Sequence, residues 1–166
     1  MDVLAHSLWA VAVLPGDQIA GKVIFGIMPD LAVFGPNLIV MLVKRKKFPK
    51  FDDRQQMMEW FDKKDYRWVK TFYKWTHSLI VWALIITAAF LYCRNSDISP
   101  PWFLLGAPLH IILDIPTHNK RSFPVQFLTP ISKLQVEGIH WSKKWVLILN
   151  YVIIAIILLI RYIIIK

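Results

Sequence analysis

Sixteen consecutive residues, Trp145 to Ile160 (WVLILNYVIIAIILLI), carry no charge, and a helix of about 20 apolar residues crosses a bilayer. Arg161 follows near the end of the run, where a long cationic side chain can reach back to the interface. The stretch 145–165 therefore predicts a transmembrane helix. Thr76–Cys93 (THSLIVWALIITAAFLYC) is a second uncharged run of spanning length. Pro101–Thr117 is a third apolar stretch, carrying His110 and Asp114 inside it and opened by Pro100-Pro101, which a helix start tolerates because the missing N–H would be unpaired there anyway. Segments of this kind fold in lipid, where backbone polar groups must be satisfied within the protein. Only 19% of the 166 residues are charged and 56% are hydrophobic, against about 25% charged in soluble domains. Disorder is excluded by the same hydrophobicity. A lone cysteine, Cys93, excludes a disulfide framework and any cysteine-based zinc cluster.

Charge placement sets an orientation. Of the 20 basic residues, eleven lie between Lys44 and Lys74 and five between Asp114 and Trp145. Lys/Arg-rich loops mark the cytoplasmic side of a membrane, and with 44–75 and 118–144 both cytoplasmic the three helices thread without adjustment. Residues 44–75 interleave cations with Trp60, Phe61, Tyr66, Trp68, Phe72, Tyr73 and Trp75, the pattern of an amphipathic segment on the membrane surface. In the N-terminal region 1–43, Val3–Leu14 and Ile19–Met28 are apolar and flank a turn at Pro15-Gly16-Asp17. They read as a helical hairpin, the alternative being one span over Ile19–Val43 broken at Pro29 and Gly35-Pro36. The expected architecture is an all-α, polytopic bundle of about four to five membrane helices.

Ionisable side chains within such helices cost about 2.5–3.5 kcal/mol each on insertion scales and are functional candidates for that reason. His6, Asp30, His77, His110 and Asp114 are of this kind, with His118 just beyond. The topology brings all five to the cytoplasmic ends of four neighbouring helices. His110 and Asp114 are four residues apart and share a helix face, and Pro116 is expected to kink that helix. Imidazole nitrogen with carboxylate oxygen is a ligand set for zinc, and for manganese or iron at higher coordination. The predicted metal ligands are therefore His6, Asp30, His77, His110 and Asp114. A cation held there with an open position would ionise its bound water at a pKa of about 7. Each residue also has a plainer reading: Asp30 as a helix cap, His77 as the first residue of a capped helix, His110 and Asp114 as a buried hydrogen-bonded pair, His118 as an interfacial histidine.

Taken in order, His6, Met28-Pro29-Asp30, Trp75-Thr76-His77-Ser78 and Leu109-His110-x-x-x-Asp114 resemble the membrane-bound metal-dependent hydrolase family of bacteria and archaea. Phe123-Pro124 to Ser132 and Gly138-Ile139-His140-Trp141 are similar to the region that follows in its small members. That family is in turn distantly similar to zinc-dependent phospholipase C. The resemblance implies hydrolysis of a phosphoester, including a lipid one. Where many members carry a His-Arg pair before Thr-His-Ser, this chain has Phe72-Tyr73-Lys74-Trp75, and Leu31-Ala32-Val33 replaces a second acid after Pro-Asp. Both departures favour a single metal.

The expected function is a membrane-embedded, metal-dependent hydrolase acting on a phosphoester at the cytoplasmic headgroup level. Asp30, Asp114 and His77 would be catalytic, and Lys120, Arg121, His118 and His140 would bind substrate. Expected partners are membrane lipid and anionic phospholipid headgroups, with nucleic acid disfavoured. The alternative is a non-catalytic membrane protein that binds a metal ion or anionic lipid.

Overall fold

A computed structural model describes residues 1–45, 50, 54–63, 65–120 and 123–165, and contains no strand among them. Asp2 starts helix α1 (Val3–Val13), its carboxylate accepting the Ala5 N–H at 2.9 Å. Gly16, at φ +81, turns the chain into α2 (Ile19–Val43). α2 is one continuous helix through Pro29 and Pro36. The hairpin expected to end at Met28 thus keeps its turn but not its second boundary, and Asp30 lies inside a helix rather than after one. Each proline leaves the carbonyl four residues earlier, on Phe25 and Ala32, without its helical donor.

What holds α2 straight past its prolines is packing on both halves. In the first half Gly26 lets α1 approach. A Cβ on Gly26 would stand 2.9 Å from the Ala10 Cβ and the His6 carbonyl oxygen, and one on Gly106 would stand 2.7 Å from the Gly26 nitrogen. Small residues that let backbones approach are how helices associate in lipid. The second half carries the aromatic segment. α3 (Arg54–Asp62) and α4 (Arg67–Thr76) bury Phe61, Tyr66, Val69 and Tyr73 against Val33 and Met41 of α2 and against Phe123. Burial of one such side chain is worth about 1.5–3 kcal/mol. Within 44–75, the described residues of α3 and α4 form a helical pair that packs one face on α2 and leaves Phe72 and Trp75 exposed. Lys46, Lys47 and Lys64 of this stretch lie outside the described residues.

α5 (Leu79–Asn95) leaves α4 at a 55° bend. Ser78 forms the corner. It caps α5 by accepting the Val81 N–H, and its hydroxyl donates to the Thr129 carbonyl. The return segment opens as a 3₁₀ turn (Trp102–Leu105) and continues as α6 (Gly106–Asp114). α6 stops two residues before Pro116, so the proline terminates the helix where a kink was expected. α7 (Lys144–Ile165) is bound to α1 by polar contacts. Trp9 Nε1 donates to Asn150 Oδ1 and the Tyr151 hydroxyl to Asp2 Oδ1, both at 2.8 Å. Arg161 Nη1 donates to the carbonyls of Val11, Ala12 and Leu14 at 2.8–3.0 Å.

α2 and α7 are each long and apolar enough to cross a membrane, and the bent α4–α5 pair makes a third if it is counted as one span. α1 and the 3₁₀–α6 segment are shorter apolar helices. The protein is a helical membrane protein.

Candidate metal centre

Five side chains from five places in the chain meet at one level of the bundle. His6 comes from α1, Asp30 from α2, His77 from the α4–α5 corner, and His110 and Asp114 from successive turns of α6. His6, His77, His110 and Asp114 are at most 1% exposed. The Asp114 carboxylate is the hub. Its Oδ1 lies 3.0 Å from His6 Nε2 and 3.3 Å from His118 Nδ1, and contacts the Met1 amino group. Its Oδ2 lies 3.2 Å from His110 Nε2 and 3.8 Å from His77 Nε2. Asp30 closes the other side, with Oδ1 3.4 Å from His77 Nε2 and Oδ2 3.8 Å from His110 Nε2. Two overlapping ligand sets result, His6/Asp30/His110 and His77/His110/Asp114, with ligand atoms within 4.8 Å of one another in each.

Backbone contacts fix which ring nitrogens face this space. His110 Nδ1 lies 2.8 Å from the Gly26 carbonyl, and His77 Nδ1 lies 3.1 Å from that of Tyr73. A carbonyl accepts only, so each Nδ1 carries the proton and the neutral ring presents an Nε2 lone pair. That is the outer contact that orients a metal-ligating histidine. The Nε2 atoms of His6, His77 and His110 are buried and face no polar group other than the Asp30 and Asp114 carboxylates. Lone pairs aimed at carboxylate oxygens repel unless a cation lies between them, and buried polar atoms without partners need such a reason. The residues therefore fit a divalent cation of the kind bound by mixed imidazole and carboxylate ligands. Ring contacts lock the cage. His6 stacks on His110 at 3.5 Å between centroids, and Tyr73 stacks on His77 at 3.8 Å.

The cage opens at Asp30. A cavity of about 380 Å³ borders Asp30 and is walled by Phe34, Tyr73, His118, Phe123 and His140, among others. Two strands of loop are laced together beneath it. Gly138 and Trp141 donate their N–H groups to the His118 and Thr117 carbonyls, and Ile139 donates to that of Pro116. His118 hydrogen-bonds the Asp114 carbonyl through Nδ1 at 3.2 Å, and burial holds its pKa below the ordinary imidazole value against the pull of the Asp114 carboxylate. His140 Nδ1 accepts the Ser142 N–H, with its ring 6.4 Å from that of His118. His118 and His140 therefore line the approach. Lys120 does not: it is exposed, with its backbone N–H on Glu137. Arg121 lies outside the described residues.

Three participants escaped the sequence reading. Gly26 supplies the carbonyl under His110, Tyr73 supplies both the carbonyl and the stacking ring for His77, and the Met1 amine reaches Asp114. Gly26 and Gly106 were visible as small residues in apolar helices, the usual sign of close helix contact in lipid. The other two follow from tertiary packing alone.

A helical membrane bundle enclosing a His/Asp cage defines the class as polytopic membrane proteins with a candidate cation centre. Residues 48–166 match the model of the YdjM inner membrane protein family, and the chain belongs to that family. The match takes in His77, His110, Asp114, His118 and His140, while His6 and Asp30 precede it. It overturns the resemblance to the membrane-bound metal-dependent hydrolases related to zinc-dependent phospholipase C, which rested on motifs that are each short. No curated protein and no solved structure matches the chain.

Proposed function

We propose that this protein is a membrane-embedded, metal-dependent hydrolase of phosphoesters, its centre facing the cytoplasmic headgroup region. The observation that carries the reading is the convergence of three buried Nε2 atoms on the Asp30 and Asp114 carboxylates. His6, Asp30, His77, His110 and Asp114 would hold the ion, with zinc the best fit to the donors and manganese or iron next. His110 has only one ring nitrogen facing the cage, so the two overlapping sets describe one ion. Such an ion supplies hydroxide at neutral pH and polarises a phosphoryl oxygen. Asp30, 21% exposed in its side chain and bordering the cavity, is placed to take the proton of an attacking water. Asp114 and His77 orient the rest of the cage.

Depth and charge support a lipid-level phosphoester. The 11 residues of α1 rise only about 16 Å, against a hydrocarbon layer of about 30 Å. A centre at the start of α1 therefore sits inside that layer when the far end of the helix reaches the opposite surface, and comes up to headgroup level when α1 stops short of that surface. The basic segments 44–74 and 120–144 flank the cage in sequence, and cations so placed draw anionic headgroups at about 1 kcal/mol each. By the same charge rule they are cytoplasmic. With α1, α2, the α4–α5 pair, the 3₁₀–α6 segment and α7 all crossing or entering the bilayer, the membrane helices number about four to five.

Elemental analysis of the detergent-purified protein, paired with assays on soluble phosphodiesters, phosphomonoesters and phospholipid, tests the reading. We expect bound divalent metal and turnover in the wild type, and loss of both in His110→Ala and Asp114→Ala. Metal content unchanged in both variants rejects the ligand assignment. Metal without turnover on any of the three substrates rejects hydrolysis and leaves a metal-binding membrane protein.

A further inference from the structure

A second cavity, of about 260 Å³, meets the first at Asp30 and Phe34. Apart from Asp30 it is walled by Val3 of α1 and by Ile27, Leu31, Phe34, Gly35 and Leu38 of α2. The α2 positions recur at spacings of three, four or one, so they form one stripe of the helix. Gly35 leaves that stripe open, since a Cβ there would meet nothing nearer than Leu31 Cδ1 at 3.5 Å. Leu31 and Leu38 are 46% and 53% exposed and Val3 is 54% exposed, on helices that belong to a membrane bundle. An apolar groove open to lipid thus runs into Asp30, the less buried of the two cage carboxylates, beside the cavity lined by His118 and His140.

We infer that this groove seats a hydrocarbon chain of a membrane lipid whose phosphoester headgroup occupies the cavity at Asp30. The inference deepens the hydrolase reading, on which the headgroup's role rests, by naming the substrate class: an amphiphile entering sideways from the bilayer. Two features set this occupant apart from a protein partner. Nothing within the groove except Asp30 can form a hydrogen bond through its side chain, and the groove is continuous with the cavity at Asp30, which under the hydrolase reading takes the phosphoester. Phe34, shared by both cavities, marks the junction between chain and headgroup.

The test is photolabelling of the full-length protein in phosphatidylcholine vesicles doped with a phosphatidylglycerol that carries a diazirine in one acyl chain, with adducts mapped by mass spectrometry. Adducts are expected on Val3 and on Leu31–Leu38 above the level on the exposed α7 residues Leu149 and Ile156. Leu31→Trp, which fills the groove, should lower the α2 adducts by about tenfold and leave those on α7 unchanged. Equal labelling of α2 and α7, or labelling unaffected by Leu31→Trp, overturns the inference. Labelling needs no turnover, so the same experiment in His110→Ala separates the two readings. Groove adducts retained there support chain binding even if no hydrolysis is ever found, and hydrolysis by a wild type without groove adducts rejects the groove alone.

Discussion

The imidazoles of His6 and His110 lie face to face, 3.5 Å between centroids and 15° from parallel, although they come from helices α1 and α6. Two imidazolium rings so placed would repel, and each Nε2 already faces the Asp114 carboxylate. A bound cation resolves this arrangement by taking the nitrogen lone pairs while both rings stay neutral. A ligand that binds only the folded state stabilises it by about 4 kcal/mol at a thousandfold excess over Kd. Zinc added to chelator-treated protein should therefore raise its thermal unfolding temperature in detergent. His6→Ala should remove most of that increment while leaving the unfolding temperature of the metal-free protein within a few degrees. An increment equal in His6→Ala and wild type would place the ion elsewhere.

Gly26 predicts a different failure. Its missing side chain leaves room for α1, and its carbonyl holds the His110 ring of α6. Gly26→Leu should cost about 1–3 kcal/mol from overpacking alone, read as a fall in unfolding temperature. It should also lower metal content, because the three ligands of α1 and α6 no longer close on one point. Gly35→Ala, in the open groove, should leave both quantities close to wild type.

How far the sequence foretold this centre can be judged residue by residue. The pair His110 and Asp114 was legible because a four-residue spacing fixes a shared helix face whatever surrounds it. That His6 and His77 reach the same level was legible from helix direction, whereas Asp30 was placed there by a helix end that α2 does not have. The course of α2 was not legible. Pro29 and Pro36 read locally as breaks, and only the burial of Val33 and Met41 under Tyr66, Val69 and Tyr73 shows why the helix continues past them. The same packing shows one face of the aromatic segment buried on α2, where Tyr66 and the α4 positions 69 and 73 keep a helical spacing that the interleaved lysines obscure. Lys120 was nominated by its closeness in sequence to Asp114, which says nothing about side-chain direction after a helix has ended. The family resemblance failed for a related reason, since its motifs were short and a match over residues 48–166 outweighs them.

The polar contacts between α1 and α7 should rank in a definite order. Asn150→Leu removes one acceptor from Trp9, a type of loss worth about 0.6 kcal/mol on average within membranes. Arg161→Ala instead strands three carbonyls at the end of α1, where a helix end has no intrahelical donors left. Unfolding in mixed micelles should show Arg161→Ala as the more destabilising of the two by about 1 kcal/mol or more. Equal effects would mean that Arg161 merely borders the interface and that water caps α1.

Ser78 offers the sharpest separation of stability from site geometry. Its hydroxyl both accepts from Val81 N–H and donates to the Thr129 carbonyl, fixing the 55° corner that aims His77 at the two carboxylates. Losing an N-cap of this kind costs about 1 kcal/mol, which a bundle of this size survives folded. Losing the support of a ligating histidine lowers metal affinity by about 10–100-fold. Ser78→Ala should thus remain folded by circular dichroism and lose metal to a competing chelator at much lower chelator concentration, whereas Ser78→Thr, which keeps a hydroxyl, should recover most of the affinity. Ser78→Ala with unchanged affinity would show that Tyr73, through its carbonyl and its ring, positions His77 without help from the corner.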